Sequence, residues 1–382
     1  MKISLFAFSA FLFLLFFMLS VVFPSLRHLK YTLPFIALLP LLFTKYKIDL
    51  DVSRYFKANV KLYIFIILCS FLILVFKRDL SRRFFEESFF ILAPLFFAYF
   101  ISVFYKPERE KKYVGVIFWS ISISYLISVQ SQIIEILMNP SVFFKAIYNS
   151  DIKTESGLCF LFGFFFLYFL MKKEKLHTLW ALLFSILSFK RIALFGLLVC
   201  GILYFFFKPL VYKMKENRNL TGVIFVCINS FIISVFYLLM SGSLEALITS
   251  MTGTSPNAFF MGRYNLYGEV IDLAGGTSWF GMGLGKTGQV LKDNNFTILN
   301  FHSDVFKNFL EFGPVLFCIW IFMFYRLGSL TFEMLIMTIF LNVVFITDNV
   351  FIYFEVMFLF YFFSMIYLRR SGTGQNTKEN II

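Results

Sequence analysis

Histidine, charged residues and paired cysteines are scarce in this chain, and each scarcity removes a class of function. Only three histidines occur in 382 residues, and charged side chains make up 15% of the total, where soluble domains carry about a quarter. A freely soluble fold is therefore excluded as the main architecture. The five cysteines (Cys69, Cys159, Cys200, Cys227 and Cys318) all fall within apolar runs, and none forms a CxxC pair. That spacing indicates neither a zinc site nor a disulfide framework, and small buried hydrophobes describe them better.

What fills the chain instead is hydrophobic sequence, 59% of all residues, including 59 phenylalanines. It comes in long runs separated by short basic clusters, the pattern of repeated membrane crossings of about 20 residues each. The runs are 3–23, 31–44, 60–76, 88–105, 113–138, 157–171, 176–189, 192–207, 220–240, 314–325, 330–347 and 350–368. The expectation is an all-α, polytopic transmembrane bundle of about 11–12 spans. The first run follows Lys2 and lacks a small-x-small cleavage site, so it reads as a retained span.

The formal net charge is +13. In a soluble chain that would point to nucleic acid, but here the cations sit between spans, where membrane orientation and lipid head groups account for them. No nucleic-acid motif is present, and nucleic acid is excluded as a partner. With the N-terminus inside, the clusters at 45–61, 106–112, 172–175 and 208–218 are all cytoplasmic. So is the polar tail, 369–382, which follows a single transmembrane domain, 1–368. Lys77, Arg78, Arg82 and Arg83 disobey this scheme and fall outside. The same scheme leaves one long extracytoplasmic loop, 241–303, and loops of that length are usually functional.

Two motifs resemble chemistry without supporting it. Gly281-Met282-Gly283-Leu284-Gly285-Lys286-Thr287 is close to the end of a nucleotide-binding loop, but Phe280 stands where that motif requires glycine, and no strand precedes it. Asp49-Leu50-Asp51 lacks the α/β domain a nucleotide-sugar site needs. No cofactor and no metal is therefore expected.

The outer loop holds a more coherent set. His28 and His177 lie among basic residues, but His302 precedes Ser303-Asp304 and a helical pattern, Val305, Phe306, Phe309 and Leu310, that stops at Gly313-Pro314. Ser303 reads as the N-cap of a short amphipathic helix on the outer membrane surface. His302 at its start is either a capping residue or a base held neutral by the helix dipole, with Asp304 opposing that effect. Lys190 and Arg191 sit in a turn too short for an ordinary linker, on the outer side. Either they grip an anion, as a guanidinium does phosphate, or the span boundary is shifted and they are cytoplasmic. Arg263 opens a second amphipathic segment with Leu266, Tyr267, Val270, Ile271 and Leu273 on one face. Gly281, Gly283 and Gly285 then give a loop able to approach a ligand closely.

Taken in order, Arg263 with its helix, Trp279 to Gly285, His302-Ser303-Asp304 and Glu311-Phe312-Gly313 resemble the O-antigen polymerase and ligase family of integral membrane glycosyltransferases. Ser188-Phe189-Lys190-Arg191 is similar to that family's Ser-x-Arg segment. The chain departs from the pattern at Ser303, where Asn is usual, and in the two residues separating Ser188 from Arg191. The resemblance implies polymerisation of undecaprenyl-pyrophosphate-linked oligosaccharide repeats on the outer face of a bacterial cytoplasmic membrane. His302 would be the base, and Arg191, Arg263, Lys190 and Asp304 would bind substrate. The implied partners are the lipid-linked donor, the growing polysaccharide acceptor, membrane lipid and a chain-length regulator. Two alternatives stand beside it: a ligase passing finished glycan to another acceptor, and a flippase or transporter.

Overall fold

The computed structural model describes residues 49–104, 106–139, 154–255, 263–273, 279–296 and 301–372, with isolated positions before 49 and at 257. Most of the expected spans 3–23 and 31–44, together with His28 and the tail beyond 372, lie outside the described residues. The described chain is helical, with no strand. Fifteen α-helices follow in order: α1 (Leu50–Phe76), α2 (Arg82–Phe104), α3 (Glu110–Ser128), α4 (Gln130–Met138), α5 (Leu158–Met171), α6 (Lys175–Leu187), α7 (Arg191–Phe205), α8 (Lys208–Glu216), α9 (Arg218–Met240), α10 (Glu245–Thr252), α11 (Arg263–Leu273), α12 (Lys286–Asp293), α13 (Asp304–Gly328), α14 (Phe332–Phe345) and α15 (Phe354–Gly372). Side-chain caps start several of them. Asp49 accepts from the Asp51 and Val52 amides, Ser303 from Phe306 and Thr331 from Met334, satisfying donors that the first helical turn leaves open.

Among the described residues four helices, α1, α2, α9 and α13, are long and apolar enough to cross a membrane. The pair α7 and α8, bent by 89°, would make a fifth if counted together. Two of the runs in the sequence lie mostly outside the described residues; among the others, some form helices shorter than a span for a physical reason. Helix α5 is apolar all round because it is enclosed by the bundle, and a helix enclosed by protein needs no polar face; ten of its 14 residues are buried, as are 13 of the 14 in α14. The run 113–138 is divided at Val129, where polar Gln130, Ser131 and Gln132 interrupt it, into α3 and α4. On α1, by contrast, Ile64, Phe65, Leu68, Leu72 and Val75 are exposed at helical spacing, opposite buried Leu62, Tyr63, Ile66 and Leu74. A continuous apolar stripe facing outward is the surface a lipid phase covers.

Contacting helices pair by direction. Antiparallel α9 and α13 meet at Tyr237 on Phe306 and, further along, at Phe225 on Tyr325. Parallel α5 and α15 meet at Phe164 on Phe360 and at Tyr168 on Tyr367. The connections consequently sort to two ends. One end collects the α1–α2, α6–α7 and α14–α15 turns, the 279–285 loop and the start of α13. The other carries Lys111, Lys172, Lys208, Lys213, Lys215, Arg218, Arg326 and Arg369. The cluster that broke the charge rule lies at the first end: Lys77 donates to the Gly281 carbonyl at 3.0 Å, and Lys286 pairs with Asp79.

The segment expected as a surface helix before residue 314 is not on the surface. It is the first part of α13, which continues through a break at Gly313 (φ 73°). Lys307, Asn308 and Glu311 are buried in it. Its polar face is turned inward because protein partners replace water there: Lys307 pairs with buried Glu87 of α2 and with Glu311 at 3.1 Å, and Glu311 accepts from the Thr287 hydroxyl and, at 3.1 Å, from the Thr287 amide. Thr287 and Lys286 are thus structural partners.

The glycine loop packs on the same break. Gly281, Gly283 and Gly285 all have positive φ, and a Cβ on Gly281 would sit 2.4 Å from the Glu311 carbonyl oxygen and from the Gly313 nitrogen. The Met282 and Gly283 amides donate to the Leu310 and Glu311 carbonyls at 2.9 and 2.8 Å. The close approach expected for a ligand is made instead to the backbone that Gly313 frees from the helix.

Candidate functional site

His302 lies two residues ahead of α13, just before the Ser303 cap. Its φ of 54° places it in the left-handed region, which costs a non-glycine residue on the order of 1 kcal/mol. Three contacts hold it there. The Tyr267 hydroxyl donates to the His302 carbonyl at 3.2 Å, the Ser303 amide donates to Asn349 Oδ1 at 3.0 Å, and Phe301 stacks on Tyr267 with centroids 4.6 Å apart. The strained backbone carries the imidazole, half-buried, off the line of the helix.

Arg263 reaches the same place from α11. The buried face of that helix, Leu266, Tyr267 and Val270, packs on Phe236 and Met240 at the end of α9 and on Phe301 and Phe306. This gives the predicted amphipathic face a protein partner in place of lipid. Arg263 Nη1 then donates to the Thr347 carbonyl at 3.4 Å.

Lys190 comes from the α6–α7 turn, where Phe189 takes a positive φ of 25° and the Ser188 carbonyl accepts from the Ser156 amide at 3.0 Å. Its ammonium lies 2.9 Å from Glu155 and 3.4 Å from Asp348. Asp348, almost fully buried, also accepts at Oδ1 from the Asn349 amide (2.8 Å) and the Tyr353 hydroxyl (3.0 Å).

The electrostatics follow from this grouping. Burial disfavours the imidazolium, and the positive charges of Arg263 and Lys190 add to the effect, so the His302 pKa falls below its ordinary value although Asp348 opposes them. Burial also works against the Lys190 ammonium, but Asp348 and Glu155 outweigh it and raise its pKa. Burial and then Asp348 push the Tyr353 phenol up, so it stays protonated and donates. The result is a neutral imidazole beside two permanent cations, with the compensating carboxylates held by hydrogen bonds.

Of the residues singled out in the sequence, His302, Arg263 and Lys190 are brought together. Arg191 opens α7 one residue further on and is exposed. Asp304 is placed differently from the expectation of a substrate contact. It is completely buried, and its Oδ2 accepts from the Phe351 amide at 2.7 Å, so it ties the start of α13 to the α14–α15 turn. The carboxylate opposing the cations at His302 is Asp348. Sequence reasoning missed Asp348, Glu155 and Tyr353, and read Tyr267 only as part of an apolar face. A signal existed for the first: Asp348-Asn349 is the polar interruption between the runs 330–347 and 350–368.

Among the described residues no group of three or more His, Cys, Asp or Glu side chains is placed to hold a metal ion. Comparison with protein-family models, curated proteins and solved structures finds no match to this chain.

Proposed function

We propose that the chain is an integral membrane glycosyltransferase that polymerises undecaprenyl-pyrophosphate-linked oligosaccharide repeats at the outer face of a bacterial cytoplasmic membrane, in the manner of the O-antigen polymerases its motifs resemble. The observation that carries this reading is the meeting of His302, Arg263 and Lys190, from three separate segments, at one end of an apolar helical bundle. Two cations beside a neutral imidazole suit a reaction that needs a proton acceptor and leaves a polyanion behind.

In that reaction a hydroxyl of the acceptor sugar attacks the anomeric carbon of the lipid-linked donor. The new glycosidic C–O bond forms as the bond to pyrophosphate breaks, the hydroxyl proton passes to His302, and lipid pyrophosphate leaves with the electron pair. Arg263 stabilises the charge that develops on the leaving group, with Arg191 at the exposed rim. Lys190, already paired with Asp348 and Glu155, sets the local potential more than it binds phosphate directly. Single displacement gives inversion at the anomeric carbon. The remaining apolar runs complete the polytopic bundle, and the growing polysaccharide with a chain-length regulator are the partners this activity calls for.

A deletion strain tests the reading. Loss of this activity leaves single carrier-linked repeat units. Long carrier-linked chains in the deletion strain would assign the chain to glycan ligation instead, and repeat units retained on the inner leaflet would assign it to transport.

A further inference from the structure

A second site lies at the opposite end of the bundle, and it depends on the membrane reading alone, not on the transferase chemistry. Helix α8 turns 89° from α7, so it runs along the bundle end. If α7 follows the membrane normal, α8 lies in the plane of the interface. Only Val211 of α8 is buried. Around it Phe205, Phe206, Phe207, Leu210 and Tyr212 are exposed, a collar of apolar side chains at the depth where an interfacial helix inserts.

Four cations share this short stretch: Lys208, Lys213, Lys215 and Arg218. Glu216 is the single acid there, and none of the four cations has an ion-pair partner among the described residues. Lys208 is held without any carboxylate. Its ammonium stands over the rings of Tyr204 and Tyr212 at 5.9 Å and of Phe332 at 6.0 Å. Ring faces orient a cation without neutralising it, so its charge remains available to a phosphate. Elsewhere on the same end two lysines are committed to carboxylates: Lys172 pairs with Glu110 at 2.8 Å, and Lys111 with Glu174 at 3.6 Å.

The geometry points to α8 and its flanks as a seat for anionic phospholipid, with the phosphodiester head group on Lys208, Lys213, Lys215 and Arg218 and the acyl chains along the exposed phenylalanines. Charge complementarity selects the occupant. The cytoplasmic leaflet carries the anionic lipid, and this is the end where uncompensated lysine and arginine collect. Zwitterionic lipid offers the same acyl chains but no net charge, so it gains only the apolar part of the contact.

The test uses the full chain, purified in detergent and exposed to an equimolar mixture of phosphatidylglycerol and phosphatidylcholine, with retained lipid counted by native mass spectrometry. Each basic residue near an anionic surface favours it by about fivefold, so after screening the wild type is expected to prefer phosphatidylglycerol by at least about tenfold. The variant K208Q/K213Q/K215Q/R218Q loses that preference, and K111Q/K112Q, at the same end, keeps it. The single variants K213Q and R218Q, at exposed positions where folding is unaffected, each lower the preference severalfold. Equal retention of the two lipids by the wild type, or an undiminished preference in the quadruple variant, overturns the proposal. Displacement of the lipid by millimolar inorganic phosphate also overturns it, since that would make the seat a site for free anions.

Discussion

Replacing Lys307 by methionine isolates the interaction that holds the first part of α13, and with it His302, against the bundle. Lys307 is 4% exposed, while Glu87 and Glu311 are fully buried on either side of it. Arg83 reaches Glu87 at 3.1 Å but is itself 30% exposed, so it screens only one of the two carboxylates. Removing the lysine leaves Glu311 buried without a cation, and breaking a buried pair from one side costs about 3–5 kcal/mol. Adding Glu311→Gln removes that uncompensated charge while its amide oxygen still accepts from Thr287. The double variant is therefore expected to lose less than about 2 kcal/mol, near the ordinary range for single core substitutions. Equilibrium unfolding in mixed micelles, followed by circular dichroism, measures both. A Lys307→Met protein within about 0.5 kcal/mol of wild type, or a double variant no better than the single, would refute the reasoning that these charges are desolvated and mutually dependent.

Other outcomes follow from the same structure. Gly281→Ala places a Cβ 2.4 Å from two backbone atoms of the α13 break at φ 72°; with left-handed strain and two weakened amide bonds it is expected to cost about 3 kcal/mol, seen as a lower unfolding midpoint. Turnover should be sustained at neutral pH and fall as His302 gains a proton, at a pH below the ordinary histidine value of 6.5. Arg263→Gln removes a positive neighbour and moves that acidic limb to higher pH. Asp348→Asn removes the opposing negative charge and moves it lower, so a pH–rate series on the two variants must shift in opposite directions.

Much of the fold class was legible in the sequence because apolar runs bounded by cations have few other uses. The number of crossings was not, since a run such as 157–171 is apolar for burial in the bundle as well as for lipid, and composition does not separate the two. The capping role of Ser303 and the stop at Gly313 were read from local pattern, and both depend on neighbours in the chain. Whether the helix between them met water or protein depended on Glu87 and Thr287, far away in sequence. The same distinction divides the site. His302 and Arg263 carried motifs, whereas Glu155 and Asp348 matter only because the α5 start and the α14–α15 turn meet the α6–α7 turn. The glycine loop was noticed for the right property, close approach, with the wrong object.

The most direct measurement is turnover of purified lipid-linked repeat units by the reconstituted protein, wild type beside His302→Gln. Glutamine keeps size and hydrogen bonding but accepts no proton at these pH values, so polymer is expected from the wild type and a loss of about 100-fold or more from the variant. Undiminished polymer from His302→Gln would contradict the account.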